Sequence, residues 1–199
     1  VMTTGTPPGE DRGARILSEC AREIRSVVDL PIQAQCEPPH DHQWHCRMKE
    51  AGIDSLGMHI EVVNPQLRRK IMPGKSQVSL EKYFESFNFA VDVFGWGQVS
   101  TYILAGLGDT VDEIIGICRK LTSIGVYPFV VPFVPVSGTP LESHAPPSPK
   151  FMRSILEPLA EMIKESGMGA DKIKAGCGRC GACSALSAFE LSLIHISEP

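Results

Sequence analysis

Strand-like and helix-like segments alternate along this chain, and that alternation is what most restricts its fold. Residues 1–4, 31–36, 55–62, 98–105 and 127–134 are short runs bounded by turn residues, the pattern of β-strands. Segments of helical period separate most of them. Leu17, Cys20, Ile24 and Val27 place an apolar face on 11–28. Val111, Ile114, Ile115, Cys118 and Leu121 do the same after an Asp109-Thr110 cap. Residues 79–94 read as a helix with Ser79 as N-cap after the Pro73-Gly74 turn, and 149–166 as another. Five strands interleaved with helices form βα units and a parallel sheet, either a barrel or a doubly wound fold. No glycine-rich dinucleotide fingerprint follows any strand, which favours the barrel.

The strands themselves favour a barrel with a working interior. Gln33, Gln35 and Glu37 alternate with Ile32 and Ala34, and His59 and Glu61 alternate with Met58, Ile60 and Val62. Strand side chains alternate faces, and the outward face of a barrel strand must meet helices. The polar sets are therefore expected to point inward, near the C-terminal strand ends, where a merely structural barrel carries branched aliphatics. A wet interior implies a bound polar ligand; the alternative is a polar core layer without one.

With 199 residues and 43% hydrophobic content the chain can bury one sizeable core. Its net charge of −4 gives no electrostatic reason to expect nucleic acid. No apolar run reaches the roughly 18 residues of a membrane span, and no signal-peptide pattern opens the chain, so a soluble, cytoplasmic protein is expected. Seven cysteines, three of them clustered at 177–183, point to metal ligation in a reducing compartment and not to a disulfide framework. The chain opens in a strand-like run leading into the turn at 5–9, as if it began inside a longer barrel. Residues 191–199 read as the translation of a sequencing-library adapter and are set aside, His195 with them. The expected organisation is a partial barrel over 1–166, a cysteine-rich segment over 167–190 and the adapter-like end.

Three segments carry a resemblance beyond architecture. His59-Ile-Glu61-Val-Val-Asn-Pro-Gln-Leu-Arg-Arg69-Lys-Ile-Met-Pro73-Gly74 resembles the strand-four region of lipoyl synthase and biotin synthase. Thr101-Tyr-Ile-Leu-Ala-Gly106-Leu-Gly108-Asp109-Thr110 is similar to the glycine-rich end of their strand five. Val131-Pro132-Phe-Val-Pro135-Val-Ser-Gly138-Thr139-Pro140-Leu141-Glu142 is similar to their strand six and its loop. The tail around Cys177, Cys180 and Cys183 resembles a radical S-adenosylmethionine (radical SAM) family encoded beside nitrilases. The resemblance implies an α/β fold, a partial (β/α)6 TIM-like barrel with a parallel sheet that lacks its first strand, strands two to six being present.

It further implies a [4Fe–4S] cluster that chelates S-adenosylmethionine and reductively cleaves it to a 5′-deoxyadenosyl radical. That radical takes hydrogen from a small-molecule substrate, with flavodoxin or ferredoxin as reductant. The Cys-x3-Cys-x2-Cys set of those families is not in this sequence and is expected before Val1. By segment, Thr4 and Gly5 would hold the methionine amino group, while Gln35, His59 and Glu61 face the cavity. Arg69 would pair with the methionine carboxylate, Gly106 and Gly108 would let the backbone approach adenine, and Val134 would flank the ring.

Cys177, Cys180 and Cys183, in two Cys-x2-Cys steps among glycines, can converge on one metal. An auxiliary [4Fe–4S] cluster, zinc, and an unligated tail are the three readings. His40, His42, His45 and Cys46 follow a strand on the face where barrel active sites lie; they could hold a metal, or His42 and Trp44 line the substrate region or cap a helix. Cys20, Cys36 and Cys118 are expected in the core. Two rivals stand beside the radical SAM reading: a zinc- or other metal-dependent barrel lyase, and a non-catalytic Fe–S protein.

Overall fold

The structure is a computed structural model that describes residues 1–5 and 7–195. Thr6, in the expected 5–9 turn, and residues 196–199, in the adapter-like end, lie outside the described residues. Five parallel strands, β1 (Met2–Thr3), β2 (Gln33–Gln35), β3 (Ser55–Gly57), β4 (Val99–Ala105) and β5 (Val126–Pro132), form one sheet in sequential order. Consecutive strands are neighbours throughout, so every connection is a βα crossover in the same sense. That is a barrel wall left open between β1 and β5.

The helices are α1 (Ala14–Val27), α2 (Gln43–Glu50), α3 (Pro65–Ile71), α4 (Leu80–Phe94), α5 (Val111–Ser123), α6 (Pro149–Glu165), α7 (Cys177–Cys180) and α8 (Leu186–His195). Side-chain caps fix several starts. Asn64 accepts from Gln66 and Leu67 ahead of α3, with Pro65 at the first helical position. Ser79 and Ser148 cap α4 and α6, and Thr110 forms a capping box with Glu113 on α5.

Ala34, Leu56, Val99 and Val126 form one fully buried row across the sheet on the helix side. Phe87 and Ala90 of α4, Ile114 and Leu121 of α5 and Leu159 of α6 complete that core. On α1 the expected face is rotated. The buried stripe is Ala14, Leu17, Ser18 and Ala21, whereas Cys20 is exposed and Val27 is 78% exposed. Residues 14, 17, 18 and 21 keep the i, i+3, i+4, i+7 spacing, and α1 packs chiefly against α2. Cys36 and Cys118 are buried, as expected.

Candidate functional site

The expected strand over 55–62 is interrupted, and the interruption makes the site. Past Gly57 two of the ladder bonds to β4 pass to side chains: Thr101 Oγ1 accepts from the Ile60 N–H (2.9 Å), and His59 Nδ1 accepts from the Tyr102 N–H (3.2 Å). Pairing resumes at Glu61, whose N–H donates to Tyr102 O and whose carbonyl accepts from Leu104, both at 2.8 Å. Glu61 is the centre of a γ-turn closed by the Val62 N–H on Ile60 O (2.9 Å), at φ 64°. A non-glycine residue in that region costs about 1–3 kcal/mol and persists where its surroundings over-determine it.

Arg68 of α3 supplies those surroundings. It is 3% exposed, and its guanidinium donates to Ile60 O, to Val62 O (3.3 Å) and to Lys75 O (3.3 Å), 5.1 Å above the Tyr83 ring. The two carbonyls that bracket Glu61 and the backbone of Lys75 are thus held by one cation. Lys75 in turn reaches Glu61, Nζ to Oε1 at 2.5 Å, with both side chains about three-quarters buried. Replacing Arg68 with Met leaves buried carbonyls without their donor and is expected to cost roughly 3 kcal/mol in urea unfolding. A loss below ~1 kcal/mol would mean that the turn stands without Arg68.

Glu61 and Lys75 share a cavity of about 220 Å³ with Thr3, Gly5, Gln35, Cys36, Glu37 and His59 at the C-terminal ends of β1–β3. The bond from Tyr102 to Nδ1 assigns the proton of a neutral His59 to Nε2, which is buried and has no partner. Burial, and then the nearby Lys75 ammonium, push the His59 pKa down to about 3. His45, buried and bonded to Ser86 Oγ at 2.8 Å, is pushed down to about 4 by burial and then by His42. Cys36 is held as a thiol, its pKa raised to about 12 by burial and then by Glu37 and Asp11.

These two histidines set a pH dependence. Unfolded, each takes a proton as the pH drops through about 6.5; folded, neither does so until about 4 or 3. Their stabilisation is full above pH ~6.5 and is lost as the pH falls towards 4, with a slope approaching about 3 kcal/mol per pH unit. Urea midpoints at pH 7, 5.5 and 4.5 measure it. His59→Gln is expected to remove about half of that slope, and an unchanged slope would contradict the assignment.

The interior layer below the cavity is used differently from expectation. Gln98 donates to Lys172 O (3.0 Å) and accepts from the Lys174 N–H (3.0 Å). Ser55 Oγ accepts from Ala175 N–H and Gln33 Oε1 from Cys177 N–H, both at 3.3 Å. Residues 172–177 therefore cross the inner face of the sheet as a strap, and much of the polar layer there binds the chain's own backbone. A row of polar residues at the right parity announces a hydrogen-bonded interior; it does not say whether ligand or backbone takes the bonds.

The strap carries Cys177 to the edge of the cavity, where its Sγ accepts from Gln35 Nε2 at 3.6 Å. Tyr102 interacts with both Cys177 and Cys183, and burial first, then these thiols, raise the Tyr102 pKa. Cys180 is exposed. Among the described residues no three His, Cys, Asp or Glu side chains are grouped so as to hold a metal, which applies equally to the His40, His42, His45 and Cys46 set. As folded, the three tail thiols do not fit a single metal centre.

Of the nine residues expected around the cofactor, the cavity unites Gly5, Gln35, His59 and Glu61. Thr4 is turned towards Gly13, where a Cβ would come within 2.3 Å of its Oγ1. Arg69 is on the exposed side of α3 and borders a separate cavity of about 200 Å³ with Ser79 and Glu81. Gly106 and Gly108 do permit close approach, but to Pro147 (2.8 Å from an added Cβ) and Leu67 (3.0 Å). Val134, 66% exposed, lies two residues past β5 and does not line the cavity. Lys75 is the residue that sequence reasoning missed. Its only signal was a cation directly after the Pro73-Gly74 turn.

No protein-family model matches the chain. It is 30% identical over 136 residues to the bacteriochlorophyllide c C-7(1)-hydroxylase of Chlorobaculum limnaeum, an alignment covering 67% of this chain and 34% of the hydroxylase. Its fold superposes on coproporphyrinogen III oxidase (HemN) from Escherichia coli, described as a radical SAM enzyme, with a TM-score of 0.57 at 15% identity, over 77% of this chain and 37% of the oxidase. The chain thus spans about a third of the length of each. The open parallel sheet is thus similar in fold to a radical SAM enzyme, and the sequence is similar to a bacteriochlorophyllide hydroxylase.

Proposed function

We propose that the cavity at the ends of β1–β3 binds S-adenosylmethionine, and that the protein to which this barrel belongs is a radical SAM enzyme acting on a small molecule. The observation that carries the reading is the Glu61–Lys75 pair beside the unpartnered Nε2–H of His59. A carboxylate and an ammonium side by side match an α-amino acid, whose ammonium Glu61 accepts and whose carboxylate Lys75 takes in exchange for their mutual bond. Neutral His59 remains to donate to a hydroxyl or ring acceptor, and the Gln35 carbonyl oxygen to accept from a hydroxyl. These donors and acceptors fit the methionine and ribose parts of the cofactor, which when bound and reduced supplies hydrogen-abstraction chemistry.

The residues of this chain bind, orient and screen. Arg68 holds the Glu61 turn and the Lys75 backbone in register, and Cys177 of the strap accepts from Gln35 at the cavity edge. The tail cysteines do not fit one metal centre as folded, so no step is assigned to a cluster on them. The reductant is a flavodoxin or ferredoxin on this reading.

Anaerobic reconstitution with iron and sulfide of the protein extended upstream of Val1 by its natural coding sequence, followed by assay of 5′-deoxyadenosine with a reductant, tests it. Formation of 5′-deoxyadenosine supports the reading. Zinc retention without 5′-deoxyadenosine would replace it with a metal-dependent lyase.

A further inference from the structure

A second cavity, of about 250 Å³, opens on the same rim between the β1–α1 loop, the β2–α2 loop and the start of α4. We propose that it binds an oxyanion, carboxylate or phosphate, carried by a small molecule. Its charged lining is Arg12, Lys82 and Glu85, with His40 and His42 beside them. Arg12 and Lys82 set two cations in its lining, against Glu85 in the lining and Glu37 behind Arg12. In a partly enclosed cavity such charges are less screened than on open surface, so they select ligand charge.

Arg12 is the centre of the argument. It is held at φ 49°, next to Gly13 at φ 85°, and its N–H closes a turn on Gly9 O. Strain at a non-glycine residue is kept where the side chain is needed in one place. Its guanidinium lies 3.6 Å from Glu37, yet its Nε is buried without a hydrogen-bond partner. A guanidinium with a free buried donor is suited to an oxyanion. The loops around it are tied together: the His40 N–H donates to Glu10 O at 2.9 Å, and His42 packs against Phe89, ring centroids 5.6 Å apart.

Glu37 joins the two sites. It lines the Glu61 cavity while pairing with Arg12 of this one. A molecule anchored here by its anionic end therefore lies beside the Glu61 cavity. That it is the substrate rests on the proposed function; that the recess takes an oxyanion does not.

The test is a titration of the full chain, labelled with 15N-histidine, with orthophosphate and separately with succinate, read by NMR. Succinamide is the uncharged control. Saturable shifts at His40 and His42 are expected with at least one oxyanion and none with succinamide. Lys82→Gln, at an exposed position that folding does not need, and Arg12→Gln are each expected to weaken binding by about tenfold. Response to phosphate alone assigns a phosphate ligand, and response to succinate alone a carboxylate. No saturable shift with either, an equal response to succinamide, or affinities unchanged in both variants would overturn the proposal. S-adenosylmethionine is titrated in parallel. Its failure to bind while an oxyanion still binds removes the proposed function and leaves this inference standing.

Discussion

Glu61→Gln is expected to lower the affinity for S-adenosylmethionine by roughly thirtyfold, about 2 kcal/mol, because on the proposed reading the neutral amide loses a charge-assisted bond to the ligand ammonium. Lys75→Met is expected to lower it by a similar factor through the carboxylate. Arg69→Gln changes it less than about twofold, since an exposed side chain away from the cavity contributes little. Equilibrium dialysis distinguishes these outcomes. A large loss in the Arg69 variant with none at Lys75 would restore the arginine that sequence comparison favoured and remove the pair from the site. The Glu61 and Lys75 effects should not add, because the two groups touch in the free protein.

Phe87→Ala costs about 3–5 kcal/mol, the range for an aromatic side chain removed from a packed core. Phe87 is fully buried on α4, with Tyr83 at 6.0 Å and Phe84 edge-on at 6.0 Å between ring centroids. The same helix carries Ser86, whose hydroxyl meets buried His45, and Lys82 of the rim cavity. Loss at Phe87 therefore lowers the urea midpoint and also loosens the rim, and 15N-histidine spectra of the folded variant record the second effect. A loss under ~1.5 kcal/mol would mean that the core around α4 refills the space.

The architecture was legible because period-2 and period-3.6 patterns are local properties of the chain. All five strands and the four long helices stand within a few residues of where those patterns put them, and Ser79 and Thr110 cap as their positions imply. The strand over 55–62 is shorter because Thr101 and His59 take ladder bonds with their side chains, a long-range exchange that β-patterning cannot express. Gln35, His59 and Glu61 were legible by alternation. Lys75 was not, because its arrival at Glu61 depends on how α3 and the following turn are anchored by Arg68. Arg68 and Arg69 are neighbours in sequence but face opposite environments, and only burial separates the structural cation from the solvated one. The strap is likewise invisible locally, since it joins residues 172–177 to side chains of β2, Ser55 and Gln98 far away in the chain.

The two sites have one structural cause. Both lie on the C-terminal rim of the sheet, where the loops after β1 and β2 build the two cavities on either side of Glu37. The central claim is that the cavity of Gln35, His59, Glu61 and Lys75 receives S-adenosylmethionine. Titrating S-adenosylmethionine into the 15N-histidine-labelled chain while following the Nε2 resonance of His59 tests it most directly. Saturable binding with a progressive shift of that resonance is the predicted result. Binding that leaves His59 unmoved, or no saturable binding, would contradict the account.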